Sequence, residues 1–103
     1  MAFKAAFVAH APDADPGKHR CVIETPLYKL FVVVVRDQNQ ALDVCRNLVE
    51  EEGIHSVLLC PGFTHKDIAE IAEVVGKDVG VSVARGDGPS GRIAAEIIGR
   101  EWA

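Results

Sequence analysis

Apolar residues along this chain fall into four short runs of strand character, with helical spacing between the later ones. Phe3 to Ala9 is the first run. Only Lys4 near its start and His10 at its end are polar, and Phe3, Phe7 and two alanines share one face. That pattern predicts a strand covered on both faces. Tyr28 to Val35 carries four consecutive valines and predicts a central strand, again doubly covered. His55 to Leu59 and Val79 to Ala84 complete the set, the last alternating valine with Gly80, Ser82 and Ala84. Small residues on one face predict a close-packed helix or a neighbouring chain there.

The stretches between these runs have helix signals. Asp37 is placed to cap a helix, with Gln40 three residues on, and Ala41, Leu42, Cys45, Leu48 and Val49 form its apolar stripe. Gly53 suits the left-handed residue after it, whereas Glu50, Glu51 and Glu52 oppose the helix dipole and predict a frayed end. A second helix has Thr64 as N-cap, Asp67 three residues later, a stripe of Ile68, Ile71, Ala72 and Val75, and Gly76 at its end. A third runs from about Arg92 to Ile98, capped by Ser90, with Ile93, Ala94, Ile97 and Ile98 turned inward and Gly99 ending it. Residues 11–20, with two prolines, a glycine and several charges, read as an irregular loop, either a functional flap or a solvated connection. Cys21 to Pro26 reads as extended, at an edge.

The order β-loop-β-α-β-α-β-α predicts an α/β fold, a small, mainly parallel four-stranded sheet with three helices. By fold-level analogy it looks flavodoxin-like, or like half of a (β/α) barrel. Three helices do not easily cover both faces of such a sheet, so a homo-oligomer is expected.

Composition narrows the picture. A chain of 103 residues suits a single domain (1–103) with one modest core. A net charge of −4 with both signs interspersed leaves no basic patch, which argues against nucleic acid as a partner. Cys21, Cys45 and Cys60 are an odd set without a C-x-x-C pair, which speaks against a disulfide framework or structural zinc and for a reducing cytosol. The start of the chain lacks the apolar region of a secretory peptide, and the run from Leu30 to Val35 is far below the ~20 residues of a membrane span. A soluble, cytoplasmic protein is expected.

In a parallel sheet, ligands bind outside the carboxyl ends of the strands. His10, Arg36, Asp37, the stretch from Cys60 to His65, and Arg85 to Gly88 all follow strands. Cys60-Pro61-Gly62-Phe63-Thr64-His65 is the leading candidate, a thiol and an imidazole beside free helix-start N–H groups. His65 or His10 would act as general acid/base and Cys60 as nucleophile, if the reaction is catalytic. Gly62, Phe63, Thr64, Arg85, Gly88 and Ser90 would hold a small anionic metabolite, a carboxylate or phosphate. Each has a plainer reading: Cys60 as a small buried residue, His10 bonded to backbone, Arg36 and Arg85 paired with Asp37 or Asp87. Gly86, Gly88 and Gly91 fit G-x-G-x-x-G, yet no βαβ unit follows, so the loop is no dinucleotide fingerprint. His19 and Glu24 enter the site only if the long loop folds over it. A metal site from His10, Cys60 and His65 has no supporting ligand spacing, and the identity of any cofactor stays open. Non-catalytic regulatory or assembly roles stand as the alternative.

The opening strand, the Asp15-Pro16-Gly17-Lys18-His19-Arg20 loop, Val22-Ile23-Glu24-Thr25-Pro26, the Gly62-Phe63-Thr64-His65 turn and the final glycine-rich loop together resemble a family of short α/β proteins of roughly 100 residues. That family is known only as a domain of unknown function. The resemblance implies an α/β fold and no chemistry.

Overall fold

In the computed structural model, which describes residues 1–102, the strands are β1 (Phe3–His10), β2 (Arg20–Glu24), β3 (Tyr28–Val35), β4 (Ser56–Leu59) and β5 (Gly80–Val83). The helices are α1 (Gln38–Asn47), α2 (His65–Val75) and α3 (Gly88–Glu101). One sheet has the order β2-β3-β1-β4-β5. β1 pairs in parallel with β3 over its whole length and with β4 on its other side, and β5 pairs in parallel with β4. The sheet therefore has five strands, not four. The extended Cys21–Glu24 segment is the extra one, because it hydrogen-bonds antiparallel to β3 as an edge strand. A tight turn makes that possible: the Thr25 hydroxyl accepts from the N–H groups of Leu27 and Tyr28, and Pro26 sits in the turn, where its missing donor costs nothing.

α1 and α2 cover one face of the sheet. Val8, Val33, Val35, Val57, Leu59, Cys45 and Ile71 are fully buried between the layers. Each such side chain contributes about 1.5–3 kcal/mol by leaving water. Asp37 caps α1 through Gln40 N–H at 2.9 Å, while the Gln40 side chain accepts from Arg36 N–H. The chain stays helical beyond α1. Leu48–Glu52 widens into a π-helical turn closed by left-handed Gly53, and Lys4 donates to the Glu52 carbonyl while Lys29 pairs with its carboxylate. Two lysines thus offset the charge that the three glutamates add.

The opposite face is bare. Phe3, Tyr28 and Leu58 are exposed there, and Leu30 and Val32 only partly shielded, so the strands read as doubly covered are covered once within the chain. α3 does not fill the gap. It starts at Gly88 with Pro89 in its first turn, takes Ser90 inside the helix in place of its cap, and passes Gly99 to end at Trp102. None of its residues is buried. Ile93, Ala94, Ile97 and Ile98, read as inward, face solvent in the single chain because α3 packs extensively on no other element. Among the described residues, no helix is long and apolar enough to cross a membrane.

Candidate functional site

β1, β3, β4 and β5 run in parallel, so the residues that follow them share one edge of the sheet. From β1 the chain passes to β3 on one side, while β4 lies on the other. This is a topological switch point, where a crevice opens outside the carboxyl ends of the flanking strands. The register pairs Val8 with Leu59, which leaves His10 and Cys60 just beyond, at the mouth of that crevice.

His10 is half-buried, and its ring stacks on buried Phe63 with centroids 4.1 Å apart. Between them the chain turns at Gly62. A Cβ there would stand 3.3 Å from His10 Nδ1 and 3.5 Å from Cys60 Sγ, so imidazole and thiol both border the same point beside Gly62. Cys60 N–H is anchored to the Val8 carbonyl at 3.1 Å. α2 then begins at His65, exposed in the first helical position. Its Thr64–Asp67 capping box is closed in both directions, at 3.1 and 3.0 Å. The Thr64 hydroxyl is therefore engaged in the cap.

The β5–α3 loop forms the other wall. An added Cβ on Gly86 would stand 2.6 Å from Pro61 Cβ, and one on Gly91 would overlap the Gly86 carbonyl oxygen. These glycines let the loop lie against the Pro61 ring at Gly86 and let the start of α3 close onto the Gly86 carbonyl at Gly91. A cleft lies on each side of the contact. One, of about 270 Å³, is bounded by Phe63, His65, Ile68, Val83 and Arg85. The other, of about 350 Å³, lies under α3 and is lined by Gly62, Arg85, Ser90, Gly91 and Ala94. Arg85 faces both clefts from an exposed position and is paired with Asp87. Gly88, with φ of 61°, lines neither.

Other candidates are placed elsewhere. Arg36 donates to the Ala14 carbonyl, not to Asp37, and so ties down the long loop. His19 Nδ1 accepts from Asp15 N–H at 2.8 Å, which shapes that loop from within. Glu24 pairs in register with Lys29, near the start of β3, and lies at the opposite end of the sheet. His55 is at that end too, accepting from Lys4 N–H and stacked on Phe3. No group of three or more His, Cys, Asp or Glu close enough to share a metal ion occurs among the described residues.

Residues 3–99 match the family of unknown function DUF6506. The chain belongs to that family. Neither the curated proteins nor the solved structures provide a match. The family membership covers the whole switch-point edge, from His10 to Gly91, and carries no activity with it.

Sequence patterning brought His10, Cys60, Gly62, Phe63, His65 and Arg85 to one edge, and the geometry gathers the first four into one cluster. It missed the His10–Phe63 stack and the contact at Pro61. The one available signal was the glycine pair at 86 and 91, whose spacing on its own reads only as a loop.

Proposed function

We propose that this protein binds a small anionic metabolite, a carboxylate or phosphate, in the crevice at the carboxyl edge of its sheet. The observation that carries this reading is the convergence of His10, Cys60 and Gly62 at the switch point, with Arg85 across Pro61. Ligand sites in open α/β sheets favour that position. The order of the four parallel strands also supports the flavodoxin-like comparison, although a loop and β2 stand where a covering helix would lie between the first two of them. In the crevice, the first-turn N–H groups of α2 and the Arg85 guanidinium supply positive potential. A catalytic form of the reading adds His10 or His65 as general acid/base and Cys60 as nucleophile. Binding alone needs only the guanidinium and the backbone. A cytoplasmic setting belongs to the same reading, since Cys21, Cys45 and Cys60 are all free thiols.

The test is an amide NMR titration with inorganic phosphate and, separately, with malonate. Saturable shifts at Gly62, His65 and Gly86 are expected with at least one of them, weakened roughly tenfold by Arg85→Gln, the worth of one charge-assisted hydrogen bond. No saturable shift at these residues with either anion overturns the proposal. Where a bound metabolite is turned over, His10→Gln, His65→Gln or Cys60→Ser abolishes turnover with affinity retained; unchanged turnover in all three removes the catalytic form.

A further inference from the structure

α3 and the bare face of the sheet are two apolar surfaces of one chain that do not meet. On the helix, Ile93 is 58% exposed and Ile97 44%. The i, i+4 pairs Ile93–Ile97, Ala94–Ile98 and Ile98–Trp102 form an apolar side that Arg100 borders at Ile93 and Glu101 ends, while Arg92 and Glu96 lie opposite. On the sheet, Phe3, Ala5, Phe7, Leu30, Val32 and Leu58 line an open groove of about 540 Å³. A helix this short gains little stability in water unless its apolar side is packed. The close contacts at Gly86 and Gly91 fix where α3 leaves the sheet, with the helix standing off its own strands.

The area of the surface says how much is left to cover. A folded monomer of 11.1 kDa exposes roughly 5,700 Å² by the usual scaling of area with mass. This chain exposes 6719 Å². The surplus of about 1,000 Å² matches the roughly 800 Å² that each partner buries in a stable protein interface. Dimensions agree as well: 14 helical residues span about 21 Å, enough to cross β3, β1 and β4 at about 4.8 Å between neighbouring strands. Ala5 between Phe3 and Phe7, and Ser56 and Ser82 alongside, leave hollows for the isoleucines of a helix.

We propose that the protein is a dimer in which α3 of each copy lies in the open groove of the other. The exchange is reciprocal, so the assembly closes on a two-fold axis and leaves neither apolar surface free. Arg92 and Glu96 then form the solvent side of the covering helix, with Arg100 at its border.

Light scattering on the full chain is expected to give twice the 11.1 kDa chain mass. Ile97→Lys and Leu58→Glu are each expected to sediment as monomers that keep a cooperative unfolding transition and lose no more helical circular dichroism than α3 supplies, since both side chains are already exposed in the protomer. Mixing the two variants restores a dimer, because one helix and one groove remain intact and the other pair brings Lys against Glu. Ile93→Lys repeats the helix arm at a second position. A monomeric wild-type chain overturns the proposal, whether its own helix folds back or a different protein fills the groove. A dimer that survives all three substitutions overturns it too.

Discussion

Two of the three thiols show how far burial alone separates chemically identical side chains. Cys45 is completely enclosed beneath α1, and desolvation pushes its thiol up to about 11. The folded state therefore favours the neutral thiol more strongly than the unfolded chain does, where the value is ~8.5. Stability from this source is fully present below that value and is lost as pH rises towards about 11. Wild type should lose roughly 3 kcal/mol more than Cys45→Ala between these limits, measured as urea unfolding against pH. An equal loss in both proteins would contradict the assignment. Cys60 is half-buried beside His10. Its place at a strand end, on the same edge as His10, was plain from the sequence; the close approach of the two was not, because fifty residues separate them and only the β1–β4 register joins them.

Helix starts were the most legible elements, because a cap is a local bargain between neighbouring residues. Asp37, Thr64 and Asp67 act as their spacing implied. Thr64→Ala is expected to cost about 1 kcal/mol in chemical denaturation, and Thr64→Ser only a small part of that, because the hydroxyl accepts the bond. α3 was less legible. Gly88, Pro89 and Gly91 weaken any expectation of a helix, yet a proline in the first turn loses no bond the helix would have made. β2 was read as extended and at an edge but not counted among the four strands, since its five exposed residues carry no burial pattern and its partner is set by a turn at Thr25. The π-helical turn at Leu48–Glu52 left no trace in the spacing of apolar residues.

At the scale of the whole molecule, α3 makes the protomer long. Its extents are 42 × 25 × 24 Å and its radius of gyration is 14.0 Å, against about 13 Å for a compact domain of this size. The apolar runs in β1 and β3 implied cover on both faces, and one chain supplies it on one. Periodicity reports that a face is apolar; it does not say whose atoms lie on it. If a second copy supplies them, amide protection in α3 should rise with protein concentration while protection in the middle of β1 stays constant, as hydrogen exchange at two dilutions would reveal. Protection of α3 that ignores dilution over the range where the dimer dissociates would contradict that. The placing of β1 at the centre of the sheet also sets an order of events during synthesis. Of the five strands it is synthesised first, but one of its edges waits for Tyr28–Val35 and the other for Ser56–Leu59. The local β2–β3 hairpin can close before either edge is satisfied, since its pairing spans only a tight turn. β1 is thus made before either of its neighbours, and of the strands flanked on both sides only β4, which waits for β5, is completed later.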